Sequence, residues 1–168
     1  VSVFPGNPGR GLPTVASVYV LTDPVSGMPL AVMDGSTLTA ARTAAGSAVA
    51  TRHLARQDAR TLGIFGTGVQ ARAHVEMISR VRSLSRVFVT GRMIDRAEAF
   101  ATWVTAKFGL EASATAPDTT ATADIIACCT TSSVPVIGSA QPGAHVNAVR
   151  SEEHTSELQS RQYLVCRL

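Results

Sequence analysis

The clearest chemistry in the chain lies in Gly66-Thr67-Gly68-Val69-Gln70-Ala71. Glycine at the first position permits a sharp turn, and glycine at the third leaves bare backbone where a pyrophosphate can approach. A small residue at the sixth lets a helix lie close to the strand before it. A helix opening at this point directs unpaired N–H groups and the positive end of its dipole at an anion. A glycine turn also arises for structural reasons alone, so the flanking elements decide. Leu62-Gly63-Ile64-Phe65 reads as a buried parallel strand, and residues 69–81 read as a helix with Ala73, Met77, Ile78 and Val81 on one side. Strand, glycine turn and helix together predict a dinucleotide site that uses Gly66, Thr67, Gly68, Val69, Gln70 and Ala71.

Three further groups bear on that site. A second strand is expected at Val87-Phe88-Val89-Thr90, and its end, Thr90-Gly91-Arg92, offers no carboxylate for a ribose 2′-hydroxyl. Asp95 belongs instead to the start of the next helix, where it complements the dipole. Arg92 suits a 2′-phosphate, so NADP is expected ahead of NAD. Thr130-Thr131-Ser132-Ser133 follows an apolar strand at 124–129, where open parallel sheets bind ligands. From spacing alone these hydroxyls, Thr131 and Ser132 among them, line the crevice or form an ordinary polar loop. Arg42 near the start of a small-residue helix must reach either an anion or water, and the residues alone favour the solvated reading. Cys128 and Cys129 read as small buried residues, and His53 and His74 as structural, since none has the spaced partners of a metal site.

The elements that must position these groups follow in order. Residues 1–13, dense in proline and glycine, are expected to form an irregular loop. Strands at 15–22 and 28–33 flank the turn residues Asp23-Pro24-Val25-Ser26-Gly27 and predict a hairpin that carries side chains. A helix over 37–57 follows, with Ser36 or Thr37 as its N-cap, small residues at Ala41, Ala44, Ala45 and Ala48, and larger apolar contacts from Val49 and Leu54. Gln57-Asp58-Ala59-Arg60 is the expected domain boundary. Helices at 94–108 and 117–121, a short segment at 110–114, and apolar stretches at 134–137 and 144–149 continue a doubly wound α/β pattern. The expected architecture is a Rossmann-type parallel sheet over 58–149, joined to part of an α+β substrate and dimerisation domain over 1–57.

Composition is consistent with this and narrows the function. With 45% hydrophobic and 16% charged residues in 168, the chain has the make-up of a soluble α/β protein. No apolar run is long enough to span a bilayer. The net charge of +3 is spread without basic blocks or interleaved aromatics, which gives nucleic-acid binding no support. The three cysteines form no disulfide or metal framework, and a reducing cytoplasm is expected. The start, Val1-Ser2-Val3-Phe4-Pro5, lacks both an initiator methionine and signal-peptide features, and reads as internal sequence.

Taken together, the letters carry a more specific likeness. Gly11-Leu12-Pro13-Thr14, Asp34-Gly35, Leu38-Thr39, Arg42-Thr43-Ala44-Ala45, Leu54-Ala55, Gly66-x-Gly68-x-Gln70-Ala71, Asp124-Ile125-Ile126 and Asn147-Ala148-Val149 occur in the order seen in the ornithine cyclodeaminase/mu-crystallin family. The chain resembles that family over about 1–149. The resemblance implies that Arg42 holds the α-carboxylate of a small amino or imino acid, its fork suited to bidentate contact. It likewise places the Gly66–Ala71 turn and the Thr131-Ser132-Ser133 loop at the cofactor, NADP or NAD. Activities in such a family comprise cyclodeamination, ketimine reduction and amino-acid dehydrogenation, with a homodimer expected for the full-length protein. A shikimate-type NADP dehydrogenase and a non-catalytic crystallin-like nucleotide binder are the alternatives. The family's lysine would precede Val1 and its aspartate would follow Val149, where Arg150 replaces the expected glycine and breaks the pattern; Glu152 lies close to the aspartate's place, but the role is not transferred to it. No catalytic residue is therefore assigned, and this segment alone is expected to be inactive. Residues 150–160 also resemble a translated sequencing adapter, so 150–168 is expected to be a non-native tail.

Overall fold

The computed structural model describes residues 1–4, 6–132 and 134–149. Ser133 and the 150–168 tail lie outside the described residues. The elements in order are β1 (Ser2–Val3), β2 (Val15–Ala16), β3 (Val18–Thr22), β4 (Pro29–Asp34), α1 (Ser36–Leu54), β5 (Thr61–Phe65) and α2 (Val69–Ser79). They continue with β6 (Arg86–Thr90), α3 (Ile94–Phe108), β7 (Glu111–Ala114), α4 (Pro117–Thr120), β8 (Ile125–Cys128) and β9 (His145–Ala148). The chain divides into two compact units, Val1–Arg42 and Thr43 onward, and the division falls within α1.

In the first unit the segment expected to be irregular contains β1, paired antiparallel with β2, and a 3-10 turn over Asn7–Arg10. Pro8 suits the start of such a turn, and Gly11 closes it at φ 71°. The strand expected over 15–22 breaks at Ser17 into β2, which pairs with β1, and β3, which pairs with β4; the Ser17 carbonyl accepts the Gly35 N–H at the end of the β3–β4 register. β3 and β4 form the expected hairpin; Asp23 Oδ1 holds its turn by accepting the N–H groups of Val25 and Ser26. The oxygen at the start of α1 comes from Asp34, which accepts the Ser36 N–H at 2.9 Å, and not from Ser36 or Thr37 as expected.

In the second unit β7-β6-β5-β8-β9 form one parallel sheet. The order reverses between β5 and β8, the switch point at which open α/β sheets bind ligands. Side chains alternate between its faces. Leu62, Ile64, Val87, Val89, Ile125 and Ala127 face a core shared with Ala71, Val75 and Ile78 of α2 and Phe100 and Val104 of α3. Phe65 and Ile126 face the other way, with Ala123 and, at the margin, Phe88, Val136 and Ile137. The buried face of α2 is thus Ala71, His74, Val75 and Ile78, an i, i+3, i+4, i+7 stripe that shares only Ile78 with the predicted one; Val81 lies beyond the helix, which ends at Ser79. Residues 134–137 form no strand, since Pro135 has no N–H for a ladder. Val49 and Leu54, read as core contacts, are 59% and 39% exposed.

Most of α1 groups with the sheet, not the hairpin, because polar side chains tie it there. Asn147 Nδ2 donates to Thr51 Oγ1 at 3.0 Å, and Ser47 Oγ lies 3.0 Å from His74 Nε2. The buried Arg82 guanidinium donates to the carbonyls of Arg52, Ala55 and Arg56, satisfying the C-terminal end of α1 and the turn after it.

Asp124 has a comparable role at the amino end of the sheet. Its carboxylate accepts from Arg60 N (2.9 Å), Thr61 N (3.0 Å), Thr61 Oγ1 (2.8 Å) and the Arg56 guanidinium. Burial opposes ionisation, but these donors outweigh it and hold the carboxyl below its ordinary value of 3.8. The contribution to stability is present above that ordinary value and is lost as pH falls through the lower folded one. Asp124→Ala, which strands the Arg60 and Thr61 donors, is expected to cost about 2–4 kcal/mol. Urea titration at neutral pH checks this, and a variant within 0.5 kcal/mol of the parent, roughly the scale of an ordinary surface change, contradicts it.

Candidate functional site

At the carboxyl end of β5 the chain turns at Gly66, whose N–H donates to Thr90 O at 2.8 Å while the Cys129 N–H donates to Phe65 O at 2.8 Å. Gly66 has φ 107°, and a Cβ built on it would lie 2.5 Å from the Cys129 carbonyl oxygen. Both the conformation and the contact require glycine there. Gly68 differs: its φ of −88° suits any residue, and an added Cβ meets nothing within 4 Å. Nothing in the protein's own packing calls for glycine at 68. The space before it is open and adjoins the start of α2, whose N-cap makes no side-chain hydrogen bond.

Two more features fit an anionic dinucleotide there. The first N–H groups of α2 project from a helix end without a capping side chain. Gln70 Oε1, in the first turn of α2, is buried and has no hydrogen-bond partner among the described residues, an acceptor the protein's own contacts leave unsatisfied there. Ala71 is fully buried, as the close approach of α2 to the sheet requires.

The remaining expected residues differ in their surroundings. Thr67 packs towards the strand that follows: a Cβ on Gly91 would lie 3.1 Å from Thr67 Cγ2. Val69 is 70% exposed, and Arg92, just past the end of β6, is also exposed. Asp95 lies in the first turn of α3, its expected place. Thr131 is exposed on the loop after β8, but Ser132 is committed to its own loop, its hydroxyl donating to Val134 O at 2.8 Å. Arg42 is exposed on α1.

His74 is fully buried, with Nδ1 2.7 Å from Gln70 O and Nε2 3.0 Å from Ser47 Oγ. Since a carbonyl only accepts, Nδ1 carries the proton and Nε2 accepts from Ser47. Burial lowers its pKa despite the Gln70 contact, so the ring is neutral and structural, as its sequence setting implied. Burial pushes the Cys128 thiol up to about 11 and raises Cys129 further, which keeps both protonated and unreactive. Among the described residues no group of three or more potential ligands could hold a metal, and no helix is long and apolar enough to cross a membrane.

Sequence reasoning missed the buried polar contacts: Arg82 on α1, Asp124 across the strand starts, and the hydroxyls of Thr90, Thr115 and Thr120. Each joins residues at least 25 apart in the chain, except the pair Thr115 and Thr120. The only local signal was the Asp124-Ile125-Ile126 motif, which does not reveal the partner.

Comparison with known proteins accords with this geometry. The profile of the ornithine cyclodeaminase/mu-crystallin family matches residues 1–163. A Delta(1)-pyrroline-2-carboxylate reductase of Bacillus cereus is 43% identical over 154 residues, which is 90% of this chain and 47% of that protein. The structure of the Thermococcus litoralis Delta(1)-pyrroline-2-carboxylate reductase in complex with NADH and L-proline superposes with a TM-score of 0.83 at 38% identity, covering 88% of this chain and 47% of that one. An archaeal alanine dehydrogenase dimer with bound NAD gives 0.83 at 33% identity, covering 87% and 46%. The chain thus spans about half the length of the relatives it matches, and the shared half contains the parallel sheet with its glycine turn. On sequence, fold and turn alike, the chain belongs to the ornithine cyclodeaminase/mu-crystallin family.

Proposed function

We propose that this chain supplies the cofactor-binding fold and the adjoining substrate-domain piece of an NAD(P)-dependent enzyme that exchanges hydride at the amino-bearing carbon of a small amino or imino acid. The observation that carries the reading is the open space at Gly68 before the uncapped start of α2, at the sheet's switch point. Bound there, the nicotinamide supplies the hydride acceptor or donor. The residues of the chain do the holding. Gly66 and Gly68 admit the pyrophosphate, the N–H groups at the start of α2 neutralise it, Gln70 accepts from the ligand, and Thr131 stands at the crevice edge. Arg42 is the carboxylate anchor: a guanidinium keeps its charge at any working pH and presents paired donors to a carboxylate.

Reduction of a cyclic 2-imino acid is the favoured direction, since the reductases named above are the most similar of the relatives described. Cyclodeamination and dehydrogenation of the amino acid use the same hydride exchange. A homodimer of the full-length protein fits the apolar β3–β4 hairpin, where Val18, Val20, Leu30 and Val32 are each more than half exposed. The free thiols fit a cytoplasmic setting.

The test is an assay of the full-length protein with cyclic 2-imino acids plus NADH or NADPH, and with the matching amino acids plus the oxidised cofactors. Exchange in either direction is expected. Cofactor binding without any turnover would favour the non-catalytic alternative. The cofactor preference has its own expected result: NADPH binds more tightly than NADH, through Arg92 on the 2′-phosphate. Because Arg92 is exposed, the preference is modest, about two- to fivefold, and it shrinks in Arg92→Ala and with added salt. Equal dissociation constants in the parent would refute it.

A further inference from the structure

Three threonine hydroxyls meet at the end of β6, from Thr90, Thr115 and Thr120. Thr90 Oγ1 donates to Thr115 O at 2.9 Å, Thr90 Oγ1 and Thr120 Oγ1 are 2.6 Å apart, and Thr115 Oγ1 and Thr120 Oγ1 are 2.7 Å apart. A hydroxyl has one proton, and that of Thr90 is committed to a carbonyl that can only accept. Thr120 must therefore donate to Thr90, and Thr115 must donate to Thr120. The order of donation is unique, and the circuit closes on the carbonyl of Thr115, where it began.

We infer that this circuit is a selectivity device: it positions the Thr90-Gly91-Arg92 segment and so sets discrimination at the adenosine ribose. Thr120 is fully buried, so it is a positioning residue acting through Thr90. Its placement is tightly determined, because a Cβ on Gly63 would lie 2.4 Å from the Thr120 carbonyl, so α4 rests directly on the β5 backbone. Thr90 in turn accepts the Gly66 N–H, and the Thr115 N–H donates to Val89 O at 2.9 Å. Linked hydroxyls reinforce one another, and removing that of Thr120 takes the acceptor from Thr115 and the donor from Thr90, leaving Thr90 with its bond to the Thr115 carbonyl alone. The end of β6 is thereby held from below at the height where a ribose arrives, while the pyrophosphate is held independently by the glycine turn.

The inference rests on the dinucleotide reading above, and the test separates the two. Dissociation constants for NADH, NADPH and reduced nicotinamide mononucleotide, which lacks the adenosine half, are measured by fluorescence on the full chain and on T120V and T120S. Thr120→Val keeps the shape and removes the hydroxyl; Thr120→Ser keeps the hydroxyl. The ratio of the NADH to the NADPH constant should fall from its parental value to about one in the valine variant and regain the parental value in the serine variant, with the mononucleotide constant unchanged. If Thr120→Val does not fold, Thr115→Val, which removes only the first donor, should shift the ratio in the same sense by a smaller factor. A folded variant with an unaltered ratio, or an equal loss for all three ligands, overturns the inference. A parent that binds neither dinucleotide overturns the underlying reading as well.

Discussion

Gly68→Val should weaken dinucleotide binding at least tenfold in a chain that folds as the parent does. The backbone at 68 already lies in a region open to valine, and a Cβ there touches no atom of the described residues within 4 Å. The folded state therefore resists the change only through valine's poorer fit at the α2 N-cap, a cost of about 1 kcal/mol. The added side chain instead fills the space in front of the α2 N–H groups, where the pyrophosphate must sit. Losing even one charge-assisted hydrogen bond costs about 1.5–3 kcal/mol, and 1.4 kcal/mol is tenfold in affinity. Gly66→Val is the informative contrast. It forces β-branched backbone to φ 107° and drives a Cβ into the Cys129 carbonyl, so it should compromise folding itself. Circular dichroism and cofactor titration on the two variants separate the roles: fold without binding for Gly68→Val, loss of fold for Gly66→Val. Normal titration by a folded Gly68→Val protein would exclude this turn as the cofactor site.

In the full-length protein, Arg42→Lys is expected to lower kcat/KM by about ten- to a hundredfold, the equivalent of one lost charge-assisted hydrogen bond, with cofactor affinity unchanged. Hydride transfer needs the reacting carbon held against the nicotinamide, and two parallel N–H···O bonds to the carboxylate fix orientation as well as position. Lysine keeps the charge but, as a point donor, lets the substrate pivot. The loss should therefore appear in kcat as well as KM. Steady-state kinetics with the preferred imino acid, alongside an NADPH titration, tests the point. A lysine variant with parental kinetics would remove Arg42 from the substrate site.

The parts of this protein that were legible in the sequence are those set by short-range rules. The period of Leu62-Gly63-Ile64-Phe65, the glycine spacing at 66 and 68, and the small residues of α1 each act within a few positions. β5, the glycine turn and α2 could be placed to within a residue or two, and with them the end of the sheet at which the turn lies. Tetrahedral geometry at the backbone and the helical repeat impose this whatever the rest of the chain does.

Other features depended on which distant residues meet. Nothing near Ser17 shows that its carbonyl serves Gly35, nor does anything near Val49 show that it faces outwards. The glycine spacing already gives Gly66 the turn and Gly68 the bare backbone, but not the neighbours that enforce the difference. Tertiary structure gives one a protein carbonyl for a neighbour and the other open space. Asp124, Arg82 and the Thr90–Thr115–Thr120 circuit were invisible for the same reason. A polar side chain's role depends on its partner, and here most partners lie tens of residues away in the chain, brought within hydrogen-bond distance only when helices pack on the sheet.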